Sequence, residues 1–271
     1  MSYIIADLCA NHTGNVEIAK SMIKCLGDVG VDYAKVQSIN HHNLVQKPGV
    51  TDIEHYYNKL YYKEVELSNE DHFEIKKACD DNNVKMLCTC FNIDRIPFLK
   101  ELKLDVVKVA SPDLTSYKMI DALLSCHKRV IVSTAGCTQG ELNNSFNRYG
   151  SNVTFMYCNP YYPTPLDKVS MAVLINQFKG KVNFGYSDHT MGTEASKYAI
   201  CLGAEYVEKH FTLNRNLPGR DQFMSTTIDE FKELVEWQKV VVEMTGINDI
   251  DVGENEKQYR EKFIGRWGNN N

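Results

Sequence analysis

"VNFGYSDHT" (182–190) and "EYVEKHF" (205–211) decide the fold. Each opens on a short apolar run and carries a histidine at its end, His189 in the first and His210 in the second. The stretch between them, 192–202, has apolar residues at helical spacing. A strand, a helix and a second strand make the unit that builds a parallel sheet. Parallel strands covered on both faces read as continuous apolar runs, and the same run recurs upstream. "YIIADLC" (3–9), "DYAKVQ" (32–37), "KMLCTC" (85–90), "DVVKVA" (105–110), "RVIVST" (129–134) and "VTFMYC" (153–158) bring the set to eight. Helical patterns follow at 15–29, 70–82, 93–101, 116–126, 138–148, 165–178, 192–202 and 228–245.

Eight such units in 271 residues predict an α/β chain folded as a (β/α)8 TIM barrel. A doubly wound sheet is the fallback, but no G-x-G-x-x-G follows the first strand. The barrel is expected over 1–246, with one long insertion after the second strand, 38–69, and a polar tail over 247–271. The insertion is rich in tyrosine and holds His41, His42 and His55. A connection of that length in a compact domain is functional or disordered. Its aromatic content favours an ordered segment that plugs one end of the barrel or covers it as a lid.

Composition narrows the function classes. The formal net charge is −5 with both signs spread along the chain, and no polybasic tract marks a nucleic-acid or anionic-membrane partner. No apolar run approaches the length of a membrane span. The opening "MSYIIADLCANH" has no basic leader region. Nine cysteines are scattered without a CxxC pair, which predicts free thiols in a reducing cytoplasm.

In a (β/α)8 barrel the chemistry sits at the C-terminal ends of the strands. Reading those ends in order gives Asp7 with Asn11 and His12, then Lys35 and Gln37, Thr89, and Lys108 with Ser111 and Asp113. The second half gives Ser133 and Thr134; Asn159, Tyr161 and Tyr162; Ser187, Asp188 and His189; and Glu208 and His210, with Asp221 in the loop beyond. Lysine is almost never buried without a partner. Lys35 and Lys108, inside apolar strands, are therefore expected to meet a bound anion, together with the hydroxyls of Thr89, Ser111, Ser133 and Ser187. Pairing with Asp7 or Glu208 is the alternative.

Glu208 and His210 lie two apart and share a face, so Lys209 points outward. His189 ends the neighbouring strand. The two imidazoles are candidate ligands for a first-row divalent metal, with positions left open for substrate or water. Cys9 reads as a buried thiol in preference to a ligand.

These residues resemble the sialic acid synthase family (N-acetylneuraminate synthase and related nonulosonate synthases) over nearly the whole chain. The family's A-E-I-G-x-N-H-x-G is matched by "ADLCANHTG" (6–14), and its K-x-Q by Lys35-Val36-Gln37. Its lysine-then-serine on strand four is matched by Lys108 and Ser111, its S-T-x-G by 133–136 and its Y-P-T-P by 162–165. Its S-D-H-T falls at 187–190, its E-(K/R)-H-F at 208–211 and its P-G-x-D at 218–221.

The resemblance implies a barrel that condenses phosphoenolpyruvate with an aldehyde sugar, N-acetylmannosamine or a related aldose. The products are a 2-keto-3-deoxy sugar acid, a sialic-acid-like nonulosonate, and phosphate. It implies a phosphoenolpyruvate cradle of Lys35, Thr89, Lys108, Ser111, Ser133, Asn159 and Ser187. Asp7, Gln37, Tyr162, Glu208 and Asp221 would handle the sugar or the water that adds. A divalent metal, manganese ahead of magnesium or cobalt, would sit on His189 and His210, and a homodimer is the family's expectation. A metal-dependent sugar lyase, aldolase or epimerase is the alternative, as is a non-catalytic sugar-binding homologue.

Three departures stand out. Asp7 replaces the family's glutamate. Pro160 falls where the family has asparagine, with Asn159 adjacent as a substitute. The sequence stops at Asn271, where bacterial members continue into an antifreeze-like domain that lends an arginine to the partner's sugar site. Another residue, a separate protein or the 38–69 insertion is expected to complete that site instead, or the sugar is a different one.

Overall fold

The computed structural model describes residues 2–45, 49, 51–246, 253–265 and 268. Eight strands close into a barrel in chain order, every neighbouring pair parallel. They are β1 (Tyr3–Asp7), β2 (Tyr33–Ser38), β3 (Lys85–Cys90), β4 (Val106–Val109), β5 (Arg129–Ser133), β6 (Val153–Cys158), β7 (Asn183–Asp188) and β8 (Tyr206–His210). The (β/α)8 expectation holds, and every expected strand forms within two residues of its anticipated ends. β1 is the most shortened. Cys9 takes a left-handed backbone with φ 41°, which turns the chain off the ladder after Asp7.

Helices α1 (Val16–Val29), α2 (Asp52–Val65), α3 (Asn69–Asp81), α4 (Ile96–Glu101), α5 (Tyr117–Leu124), α6 (Gln139–Tyr149), α7 (Met171–Val173), α8 (Glu194–Cys201), α9 (Ile228–Thr245) and α10 (Glu254–Phe263) accompany the barrel. Local signals set their ends. The Asn15 side chain accepts from the amides of Glu17 and Ile18, and Gly30 closes α1 at φ 81°.

Three segments differ from expectation. The helix anticipated at 93–101 is a 3-10 turn, Ile93–Arg95, followed by α4 with Pro97 in its first turn. That at 165–178 breaks into a 3-10 turn, α7 and a π turn. There the Asn159 amide takes the Lys168 carbonyl at 3.0 Å, an acceptor that a continuous helix would use itself. The 38–69 insertion holds a 3-10 turn, His41–Asn43, and the 14-residue α2. Within the polar tail α10 forms, and 247–252 lie outside the described residues.

Inward-pointing side chains alternate with outward ones, so the barrel interior is built in layers. The lower interior packs Ile5, Tyr33, Leu87, Val106, Ile131, Met156 and Tyr206 with Tyr3. Met156 reaches across because Gly185 leaves room: a Cβ there would lie 3.1 Å from Met156 Cγ and 2.7 Å from the Tyr206 carbonyl. One turn of the pleat higher the interior becomes charged. Asp7 stands beside Lys35 in register, and Ser187 beside Glu208. The larger apolar core lies between barrel and helices.

Candidate active site

The charged layer floors a cavity of about 1050 Å³ at the C-terminal end of the barrel. A smaller cavity of about 410 Å³ opens at the other end beside His127, Lys128 and Arg129. Its cations are already matched, Lys128 with Asp105 at 2.7 Å and Arg129 with Glu205. The larger cavity is the candidate site. Its walls include Asp7, Lys35, Gln37, Thr89, Lys108, Ser111, Ser133, Tyr162, Ser187, His189, Glu208, His210 and Asp221. Of the residues assigned to substrate, water or metal, only Asn159 is not brought there; of the other strand-end residues, Asn11, His12, Asp113, Thr134, Tyr161 and Asp188 do not line the cavity.

Asn159 is the correction. Its side-chain amide faces the Lys168 carbonyl, and its own main-chain carbonyl accepts from His189 Nδ1 at 2.7 Å. A carbonyl can only accept, so Nδ1 carries the hydrogen and the lone pair of His189 lies on Nε2. Asn159 thus sets the tautomer of His189 and does not line the pocket. Asp188 also leaves the ring. It points outward with Lys209, at 3.0 Å.

Both buried lysines have carboxylate partners, the alternative to the expected anion. Lys35 Nζ lies 2.7 Å from Asp7 and 3.2 Å from Glu208 Oε1. Lys108 Nζ lies 2.5 Å from the same Glu208 oxygen, to which Ser187 also donates at 3.1 Å. Burial favours neutral Glu208, but the Lys108 and Lys35 ammoniums outweigh it and hold the acid below the usual carboxylate range. Burial likewise opposes charge on Lys35, and Asp7 and Glu208 overcome it, so its pKa is raised. For Lys108 burial wins with help from the Lys35 charge, and its pKa is lowered. The two lysines therefore differ: Lys35 is locked between two acids, while Lys108 is the looser cation.

The network is left open on one side. Glu208 Oε2, Thr89 Oγ1, Ser133 Oγ and His210 Nδ1 are buried without a hydrogen-bond partner. Such groups cost about 1–3 kcal/mol each and ask for a ligand. Ser111 Oγ accepts from the Ala135 amide at 3.0 Å and keeps its own proton to donate.

One donor atom each from Cys9, which is buried, and from His210 and Asp221, which line the cavity, lies within 4.8 Å of the others. His210 Nδ1 faces Asp221 Oδ2 at 3.8 Å, and its Nε2 faces Asp7 Oδ2 at 3.6 Å. The His189 ring stands 5.4 Å from that of His210, and Tyr162 stacks on His189 at 4.0 Å. Thiol, imidazole and carboxylate around an unpartnered buried nitrogen are a donor set that fits a divalent cation. Burial, and then the charges of Asp7 and Asp221, push the Cys9 thiol pKa well up in the metal-free chain.

The insertion supplies the roof. Tyr61 and Tyr62 of α2 line the cavity, as does Arg220 from the loop after β8. The Arg220 guanidinium sits 4.3 Å above the Tyr61 ring, a cation–π contact. Gly14 lets the β1 loop approach α2, since a Cβ there would collide with the Glu64 carbonyl. Sequence reasoning passed over Arg220, Tyr61 and Tyr62 as individual residues. Arg220 was legible as the variable position of P-G-x-D. Which tyrosines of the insertion face inward follows from the orientation of α2, which no sequence pattern declares.

The NeuB family model matches residues 22–249. An uncharacterised protein of Methanocaldococcus jannaschii is 32% identical over 251 residues, covering 90% of this chain and 72% of its own length. The N,N'-diacetyllegionaminic acid synthase of Campylobacter jejuni is 30% identical over 245 residues, covering 85% and 73%. Among solved structures, an N-acetylneuraminic acid synthetase from Leptospira borgpetersenii shares the fold with a TM-score of 0.85 at 24% identity, covering 97% of this chain and 92% of that one.

Proposed function

The chain belongs to the NeuB family, and from that membership and the pocket we propose that it joins phosphoenolpyruvate to an aldehyde sugar, giving a 2-keto-3-deoxy sugar acid and phosphate. One observation carries the reading: the partnerless buried hydroxyls of Thr89 and Ser133, in a pocket that Lys35 and Lys108 share. Hydroxyls and ammoniums converging at the strand ends suit phosphate and carboxylate oxygens.

In this reading Lys108, Lys35, Thr89, Ser111, Ser133 and Ser187 hold phosphoenolpyruvate. Entering oxygens take the donors that Glu208 now occupies, Lys108 first, because it has one carboxylate partner and Lys35 has two. Carbon C3 then attacks the aldehyde carbon. The aldehyde oxygen becomes a hydroxyl, water adds at C2, and the tetrahedral adduct expels phosphate. Asp7, Gln37, Tyr162, Glu208 and Asp221 position the sugar and the water and carry the protons these steps move. Alignment of the two substrates supplies much of the rate. A divalent cation at His189 and His210, manganese with magnesium or cobalt as alternatives, supplies Lewis-acid polarisation of the aldehyde.

The formal charges of Asp7, Glu208, Lys35 and Lys108 cancel, so an anionic substrate needs further positive charge nearby. Arg220 at the roof supplies some of it and stands where an acceptor sugar such as N-acetylmannosamine would enter. A homodimer or a separate protein completing the sugar site, and a cytoplasmic location, belong to the same proposal. Among the described residues no helix is long and apolar enough to cross a membrane.

The test is phosphate release from phosphoenolpyruvate with manganese and a panel of aldehyde sugars, each with and without a chelator. Metal-dependent release with one sugar is the expected result and identifies the acceptor. Release from none of the sugars, with phosphoenolpyruvate and manganese failing to bind, would overturn the reading.

A further inference from the structure

We infer that Cys9 is a further ligand of the divalent-metal site, so that a thiolate from Cys9 and a carboxylate from Asp221 join the imidazoles of His210 and His189. The inference rests on the metal-assisted reading of the pocket and deepens it, because the donor set selects among metals.

Three independent features converge on Cys9. The first is position. Its Sγ shares a 4.8 Å neighbourhood with donor atoms of His210 and Asp221, a separation that a cation at ordinary ligand distances closes with small side-chain movements. The second is the backbone. Cys9 sits at φ 41°, a region that suits glycine and costs an L-residue about 1–2 kcal/mol. The chain carries a cysteine where its own backbone favours glycine; the residue is 1% exposed, and its Sγ is buried next to His210 and Asp221, which line the pocket. The Cys9 amide is tied to Asp7 Oδ1 at 2.9 Å, so the turn is braced.

The third feature is the surroundings. His210 is 8% exposed and its Nδ1 has no hydrogen-bond partner. Its other nitrogen faces Asp7, the carboxylate–histidine arrangement that orients metal-binding imidazoles. Asp7 and Asp221 set negative charge beside a buried thiol. A cation reconciles these groups: the Sγ–H proton leaves to solvent as the metal–sulfur bond forms. His189, with its lone pair on Nε2 and its ring 5.4 Å from that of His210, would complete the donor set.

The consequence is selectivity. Magnesium prefers hard oxygen donors, whereas thiolate with imidazole favours cobalt, zinc or iron. The metal in this chain is therefore expected to be one of the softer first-row ions.

Cobalt(II) tests this without reference to turnover. Added to chelator-stripped full-length protein, it should produce a near-ultraviolet thiolate-to-cobalt charge-transfer band. Cys9→Gly, which suits the local backbone and so keeps the fold, should abolish the band. It should also weaken cobalt binding by about 10- to 100-fold or more, the range for lost outer-shell partners being the lower bound for a lost ligand. Cys9→Ser, checked by circular dichroism, should lose the band as well. Cobalt bound without the band, with Cys9→Gly binding at wild-type affinity, would overturn the assignment. The band without phosphate release from any sugar would keep Cys9 as ligand and remove the proposed reaction. Phosphate release with metal affinity unmoved by Cys9→Gly would keep the reaction and remove the ligand.

Discussion

Glu208 and Lys209 are neighbours on β8, both charged and both 2% exposed, yet they belong to opposite kinds of network. Lys209 points to the helix layer and donates to Asp188 Oδ2 at 3.0 Å and the Thr190 carbonyl at 2.8 Å. Asp188 in turn accepts from Ser196 Oγ at 2.6 Å and the Thr190 amide at 2.8 Å, so both its oxygens are used. Glu208 points into the barrel and concentrates Lys35, Lys108 and Ser187 on one oxygen while the other has no partner. Burial is the same on the two sides of the strand, and each side carries an ion pair. What separates these two carboxylates is hydrogen-bonding capacity: both Asp188 oxygens are used, whereas Glu208 Oε2 is not.

The largest effect should come from breaking the closed side. Lys209→Met leaves the Asp188 charge buried without its cation and should cost about 3–5 kcal/mol of stability, read from urea unfolding. The phosphoenolpyruvate KM of the folded fraction should be unchanged, because Lys209 faces away from the pocket. The variant should also be more acid-sensitive. Burial raises the Asp188 pKa, but Lys209 and Ser196 outweigh it and hold it low. A depressed carboxylate contributes stability that is full above the unfolded value near 4 and lost as pH falls through the folded one. Removing Lys209 shifts that acid limb upward. A loss under about 1 kcal/mol would mean that the outward pair is no more than a surface-like bridge.

Next comes the open side. Lys108→Ala removes a cation whose partner keeps Lys35 at 3.2 Å and Ser187 at 3.1 Å. Stability should therefore fall less than in Lys209→Met. Phosphoenolpyruvate KM should rise about 10- to 100-fold, the worth of a charged hydrogen bond, with sugar KM moving less. If Lys108→Ala destabilises as much as Lys209→Met while leaving KM alone, the distinction between the two networks collapses.

The same contrast explains what the sequence declared. The period of two along β8 put Glu208 and His210 on one face and Lys209 on the other, and the structure agrees. Strand ends face the cavity in this fold, so a list of polar strand-end residues already held the charged floor of the pocket, Asp7, Lys35, Lys108 and Glu208. Asn159 failed because a loop residue has no fixed face: its amide turned to Lys168 and only its carbonyl serves His189. Whether the lysines were paired could not be read either, since Lys35 and Glu208 are distant in sequence and meet only across the closed barrel. Cys9 reads from sequence as a buried thiol, and it is buried and free. Its direction depends on a positive φ that the letter code assigns to glycine. The roof of Tyr61, Tyr62 and Arg220 depends on how α2 docks, which is tertiary.

The smallest effect is the sharpest test of unspent capacity. Thr89→Val removes a buried hydroxyl that has no partner in the ligand-free chain. Since no hydrogen bond is lost on folding, stability should stay level or rise slightly. Phosphoenolpyruvate KM should rise about 2- to 10-fold, the net worth of one neutral hydrogen bond. Thr154 gives the mirror image. It lies on β6 near the other end of the barrel and donates to Glu205 at 2.8 Å. Thr154→Val should lower stability by about 1–3 kcal/mol and leave KM alone. A thermal melt and one saturation curve per variant decide it. If Thr89→Val destabilises the protein and Thr154→Val does not, the empty valence at Thr89 is met from within the chain and the hydroxyl has no claim on substrate.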